Sequence, residues 1–388
     1  MPEAVIVDTV RTPIGRAFKG SLAQLRPDET GAFVVNKLLE RNPDVDPALI
    51  QDLICGVGMP QGLQGFNIAR IITLLSDLPE TTTGVTVSRF CASSLDSIRH
   101  ASNAIKNGEG DAYIAAGVEF VSRFNEATDP ARAADKNEKL TGEVEGYPDV
   151  YIDMGITAVN VAEKYGVKRE DMDDFALRSQ HLAVESQESG FFDREIAPLT
   201  LEDGTVVDKD DGPRKDGGDM REKLASLPEA FGGGGVTAGN SCPLNDGAAA
   251  ALIMSDTKAK ELGLTPRARI VTAATEGNNP EYMGVAPIGA VKKVLDRAGM
   301  TIDDVDTVEL NEAFAAQVIP IMDECGIPLE KLNTHGGAIA LGHPFGMTGA
   351  RIMGTLLNVM ETDDHSVGIE TMCVAGGQGE AMVVERLS

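Results

Sequence analysis

Basic charge is scarce in this chain. Lysine and arginine number 34 against 60 aspartates and glutamates, a formal net charge of −26 over 388 residues. Nucleic acid and anionic membrane surfaces both call for a basic face, which excludes them as partners. An anionic substrate would need a local basic patch set against an acidic whole. Long apolar runs are also lacking, and none could span a bilayer. The stretch MPEAVIVDTVRTP puts Glu3 and Asp8 where a signal peptide has its basic start and apolar run, so a cytoplasmic location is expected. Cysteines are few: Cys55, Cys91, Cys242, Cys325 and Cys373 are scattered, odd in number and never spaced C-x-x-C. That spacing gives neither a disulfide framework nor a metal site, and most such cysteines are small buried hydrophobes.

What is present reads as a globular α/β protein of two or three structural units. Short apolar runs at Ala4 to Val7, Val85 to Val87 and Asp111 to Ala116 fit buried strands. Between the last two, Cys91, Leu95, Ile98, Ala101 and Ile105 recur at helical spacing. From 119 to 243 the texture changes to a long insertion. Charged, glycine-rich stretches such as ATDPARAADKNEK and DGTVVDKDDGPRKDGGD there interrupt helices near 158–165 and 172–186. Ala248 to Met254 returns to buried strand. Val305 to Leu310 is a strand leading into a helix at Asn311, 349–360 is a helix, and 367–384 a closing hairpin. The plan is two similar halves, 1–118 with 244–266 and 267–388, with 119–243 inserted.

Four segments carry reactive chemistry. Cys91 follows a strand and a turn and opens a helix, where the helix dipole and free N–H groups are expected to lower a thiol's pKa. His343 lies between Gly342 and Pro344 in HGGAIALGHP, a poor place for core filler, and is the candidate base for a thiol nucleophile. Cys373 stands at a strand end before Ala375-Gly376-Gly377. It reads either as part of an oxyanion-holding loop or as a buried residue of a tight hairpin. Asn311 in LNEAF reads, by itself, as a helix N-cap. Cys55, Cys325, His100, His181 and His365 match no such segment and read as structural.

Taken together, SRFCASSL, LNEAFAAQ, GGAIALGHPFGMTGAR and CVAGGQGEA resemble the motifs of the thiolase family. VTAGNSCPLNDGAAA resembles the end of that family's insertion, and RTPIGRAFKGSL its first strand and loop. The resemblance covers essentially the whole chain in the right order. It implies a duplicated α/β/α/β/α five-layer core with an inserted loop domain over coenzyme A. The implied reaction is thiolysis of 3-ketoacyl-CoA by CoA, with CoA as a substrate and no permanently bound cofactor.

By position, Cys91 would carry the acyl group, His343 would activate it, and Cys373 would exchange protons with the acetyl-CoA carbanion and the CoA thiol. Asn311, through a water, and His343 would hold one oxyanion; the backbone N–H groups of Cys91 and Ala375 would hold another. Arg214, Ser241 and Cys242 match CoA-contacting positions. A homodimer or homotetramer is implied.

The sequence departs from the family at a few positions. Ala375 and Ser94 stand where members often have glycine, and Cys242 where serine is common. Asp153-Met154-Gly155 lacks the histidine of short-chain biosynthetic members, which favours a degradative enzyme over an acetyl-CoA acetyltransferase. A non-catalytic CoA or lipid carrier would dispense with Cys91, His343 or Cys373. A cysteine hydrolase would have no use for Cys373.

Overall fold

The computed structural model of the protein describes residues 2–126 and 136–388. Residues 127–135, part of the charged stretch ATDPARAADKNEK, lie outside the described residues. The chain begins with β1 (Ala4–Arg11), β2 (Gly15–Arg16), α1 (Pro27–Arg41), β3 (Ile50–Gly56), α2 (Ile68–Leu75), β4 (Thr83–Val87), α3 (Ser93–Lys106) and β5 (Ala112–Phe120). There follow α4 (Met154–Tyr165), α5 (Arg169–Ser189), the short pair β6 (Leu199–Thr200) and β7 (Val206–Val207), and α6 (Met220–Ser226). Next come β8 (Asn245–Ser255), α7 (Asp256–Glu261), β9 (Ala268–Gly277), α8 (Pro287–Ala298) and β10 (Thr307–Leu310). The chain closes with α9 (Ala315–Cys325), α10 (Ala338–Leu341), α11 (Thr348–Thr362), β11 (Val367–Val374) and β12 (Gln378–Arg386).

The strand pairing repeats. In the first half β3 runs parallel to β5, β5 antiparallel to β8, and β8 antiparallel to β1. In the second half β10 is parallel to β11, β11 antiparallel to β12, and β12 antiparallel to β9. The halves meet where β1 and β9 pair at Val5 with Arg269 and Ile6 with Ala268. Each half sends one helix, α3 or α11, between the two halves of the single ten-stranded sheet. There Leu95, Ile98, Ile352, Met353 and Leu356 form one core with Ile54, Met372 and Met382. α1 and α2 cover the outer face of the first half of the sheet through Leu38, Ile68 and Ile72. α8 and α9 cover the second through Val291, Val294, Val318 and Ile321. Five layers result, as the resemblance implies.

Sequence explains the layering. β8 is buried along its whole length, NDGAAAALIMS, because it has helices on both sides; the alanines keep those helices close. α3 buries Leu95, Ile98, Ala101 and Ile105 at the spacing seen in the sequence. The helices α4 and α5, inserted between β5 and β8, pack on the second half, with Ala158, Met172 and Phe175 joining its outer core. One expected feature is absent: Asn311 does not cap a helix. Residues 311–314 lie outside the helix, with a bend at Ala313, and Phe314 holds the N-cap position of α9. Tertiary contacts override the local preference, since Cys242 N donates to Ala313 O at 2.9 Å and Phe314 bridges to Ser241.

Candidate active site

Cys91 lies one residue beyond a kink. Phe90 adopts φ 43°, a left-handed conformation that residues other than glycine rarely take. Ser93 holds it: its hydroxyl donates to Phe90 O at 2.6 Å and accepts from Arg89 N at 2.9 Å. Arg89 reaches into the other half and donates to Gln378 Oε1 at 3.1 Å. Cys91 thus occupies a 3-10 turn, Phe90–Ala92, ahead of α3 and not its first turn. The expected lowering of its pKa is not found. Burial pushes the thiol well above its ordinary value, and the nearby Cys373 and Cys242 add to the rise. The Ala375 backbone N–H, directed at the sulfur, offsets this only in part. The turn's partial charges do not replace the water that a thiolate would lose.

His343 is buried, and the segment that carries it is fixed on both sides. Its backbone N donates to Asn245 Oδ1 at 3.0 Å, and Asn245 also donates to Gly15 O at 3.0 Å. Gly342 must lack a side chain, because a Cβ there would come within 2.6 Å of the Asn245 carboxamide; its φ of +114° also suits glycine. The imidazole has a defined tautomer. Thr348 Oγ1 donates to Pro344 O at 2.7 Å, so at 2.7 Å from Nδ1 it can only accept. Nδ1 therefore bears the proton and Nε2 the lone pair. Asn311 Nδ2 sits 3.3 Å from that Nε2 and donates to it. Burial, aided by the Arg351 charge, pushes the histidine pKa down to about 3, so the ring is neutral.

Cys373 lies near the end of β11, beside the turn into β12. Gly377 is forced by its φ of +77° and by Asn278 O, which would lie 2.2 Å from a Cβ. This turn presents the Ala375 N–H to Cys91. The Cys373 sulfur is fully buried and accepts from Gln317 Nε2 at 2.9 Å. Burial raises its pKa to about 11, and the Gln317 bond opposes the rise.

Glu312 ties the inserted helix α5 to this centre. Its carboxylate accepts from Ser179 Oγ at 2.6 Å, Asn333 Nδ2 at 2.9 Å and Ile339 N at 3.2 Å. The neighbouring Asn311 keeps Oδ1 buried with no hydrogen-bond partner among the described residues.

The other expected residues divide. Cys242 is partly buried; its charge adds to the rise at Cys91, and its own pKa is pushed up to about 12 by burial, with Cys373 adding to the rise. Ser241 is buried, and its hydroxyl donates to Thr237 O at 2.7 Å. Arg214 is exposed, on a loop whose Gly212 packs on Ala340 O, two residues before Gly342. Asp210, paired with Arg11 at 2.7 Å, anchors the same loop. Ser94 uses its hydroxyl to accept from Ala350 N at 2.9 Å, joining the two central helices.

Sequence reasoning passed over Thr348, Gln317, Asn245 and Arg16. All four lay inside the quoted motifs without a role. Arg16 presses on Arg214 electrostatically, and neither has an acidic partner among the described residues. No group of three or more metal-binding side chains occurs among the described residues.

A neutral imidazole with its lone pair on Nε2, a thiol, Cys91, close enough to a second to feel its charge, and an N–H facing the first suit acyl transfer through a thioester. Comparisons with known proteins agree. Residues 4–257 match the family description "Thiolase, N-terminal domain", and 264–386 match "Thiolase, C-terminal domain". A 3-ketoacyl-CoA thiolase of Saccharophagus degradans is 43% identical over 99% of this chain and 98% of its own. A 3-oxoadipyl-CoA/3-oxo-5,6-dehydrosuberyl-CoA thiolase of Escherichia coli is 42% identical over the full length of both. Among solved structures, the dimeric peroxisomal thiolase of Saccharomyces cerevisiae superposes with a TM-score of 0.91 at 35% identity, covering 99% of this chain and 97% of that one. The Bacillus anthracis acetyl-CoA acetyltransferase gives 0.89 at 36% identity, covering 100% and 99%. With both family domains matched in order along nearly the whole chain, this protein belongs to the thiolase family.

Proposed function

We propose that the protein is a degradative 3-ketoacyl-CoA thiolase acting through an acyl thioester on Cys91. The observation that carries this reading is the fixed tautomer of His343, which puts on Nε2 the lone pair that takes the Cys91 proton, with a second thiol, Cys373, beside the first. The Cys91 sulfur attacks the 3-keto carbon, and the new oxyanion is held by the N–H groups of Cys91 and Ala375. The C–C bond then breaks. The departing acetyl-CoA enolate is held by His343 Nε2–H and by a water on Asn311, whose buried Oδ1 is free to orient it. Cys373 protonates the enolate carbon, then takes the proton of the incoming CoA thiol, which releases acyl-CoA from Cys91.

Coenzyme A is read as a substrate. Its phosphates supply the anion that the unpaired Arg16 and Arg214 call for on an acidic protein. Cys242 faces the pantetheine arm. The reading includes a cytoplasmic homo-oligomer, a dimer or tetramer. β4 is the outermost strand of the sheet, and Val85 on it and Leu74 and Leu75 on α2 beside it are exposed.

Asp153 caps α4 by accepting from Gly155 N at 2.8 Å, where short-chain biosynthetic relatives would carry histidine. The expected substrates are therefore medium-chain esters of six to ten carbons. Each fitting carbon pair gains roughly tenfold in kcat/KM at about 0.8 kcal/mol per buried CH₂. Thiolysis of acetoacetyl-CoA, 3-ketooctanoyl-CoA and 3-oxoadipyl-CoA at one CoA concentration tests this. The eight-carbon ester should be fastest. A clear win for the four-carbon ester selects the acetyl-CoA acetyltransferase alternative, and a win for the dicarboxylic ester selects a 3-oxoadipyl-CoA thiolase.

A further inference from the structure

Gln317 is the third residue of α9, fully buried, and its side chain packs over Gly284, where a Cβ would come within 2.9 Å of it. Nε2 donates to Cys373 Sγ at 2.9 Å, while Oε1 is buried with no hydrogen-bond partner among the described residues. As a device for stability this is a poor arrangement. A buried carboxamide destabilises a fold unless its polar atoms are well paired, and a neutral thiol is a weak acceptor. The same N–H becomes a strong bond once the sulfur is charged.

We infer that Gln317 is a positioning residue for the second thiol: its N–H steadies the thiolate that Cys373 becomes when it gives up its proton. The inference rests on the role proposed above for Cys373. In that step the S–H bond of Cys373 breaks, a C–H bond forms at the enolate carbon, and the electron pair left on sulfur faces Gln317 Nε2. The thiolate then takes the proton of the incoming CoA thiol, restoring Cys373–SH and releasing a CoA thiolate to attack the acyl group on Cys91. By holding the sulfur from one side, Gln317 also turns the S–H away from itself and toward the reacting carbon. Packing against Gly284 fixes the amide, so the donor is in place before the charge develops.

Exchange of the α-hydrogens of acetyl-CoA in D₂O, on enzyme already acetylated, reads Cys373 chemistry without C–C bond formation. Acylation of Cys91 by acyl-CoA, followed by intact mass, reports an intact fold and a working first thiol. Gln317→Met keeps the shape and removes the donor. It should slow exchange by at least about tenfold and move its rise with pH upward by about one to two units, the loss of one hydrogen bond to a charged group. Acylation of Cys91 should still go to completion. Gln317→Glu, with a carboxyl group against the sulfur, should shift the profile further in the same direction, and it carries the same test if the methionine variant does not fold. An unshifted exchange profile in a variant that is folded and still acylated to completion overturns the inference. Cys373→Ala separates the two claims: if it retains exchange, the role of Cys373 itself is wrong, whatever Gln317 does.

Discussion

The Nδ1–H of His343 is donated to Thr348 Oγ1 at 2.7 Å, and that hydroxyl passes its own proton to Pro344 O. One side chain thereby decides which nitrogen of the buried imidazole can act as a base. Thr348→Val removes the acceptor while keeping the volume. The ring then loses its defined tautomer, and kcat should fall by roughly 10-fold to 100-fold, the range seen when a partner that fixes a histidine tautomer is lost. Thr348→Ser restores the hydroxyl and should recover most of the rate. Equal kcat in the valine and serine variants would rule out this role.

The pH dependence follows from two shifts of opposite sign. Burial holds His343 at about 3, so it is neutral throughout the working range, and it raises Cys91 well above the usual thiol value, so the sulfur rests protonated. In the proposed mechanism the proton moves from Cys91 to His343 when substrate arrives and need not come from or go to solvent. Single-turnover acylation of Cys91 should therefore be flat between about pH 5 and 7, with no step near the ordinary histidine value. A midpoint close to 6.5 would mean that the imidazole is solvated and titrates normally.

His343 and Cys373 stood out in the sequence because glycines, and for His343 a proline, fix the backbone beside them, and Cys91 because it lies between a strand and a helix. The duplicated layers were legible for a similar reason: buried strands such as Ala248 to Met254 announce themselves by continuous small apolar residues. What escaped depended on distant partners. Gln317 meets Cys373 only after α9 has packed beneath β11, and Arg16 meets Arg214 only because Asp210 and Asp211 pin a far loop to the first strand. Asp211 Oδ2 accepts from Arg16 N at 2.9 Å. The N-cap reading of Asn311 failed because Glu312 and Ala313 are held by α5 and Cys242. The lowered thiol pKa failed because a helix-end argument from sequence omits burial.

Arg16 and Arg214 supply the test of CoA recognition. Either residue changed to Ala should raise KM for CoA several-fold and leave kcat near its wild-type value, since neither charge is among those that shift Cys91 or Cys373. The effect should shrink as ionic strength rises and screening weakens the contact. Unchanged KM in both variants, or a fall in kcat with KM constant, would remove them from the CoA site.

The most direct measurement of the central claim is intact mass after mixing the enzyme with an acyl-CoA in the absence of a second substrate. One acyl group should add to the wild-type chain, and peptide mapping should place it on Cys91. Cys91→Ala should show no adduct. Cys373→Ala should still be acylated, while C–C bond cleavage falls by at least ~10²-fold. An acyl group found instead on Cys242 or Cys373, or full thiolysis by Cys91→Ala, would contradict the account.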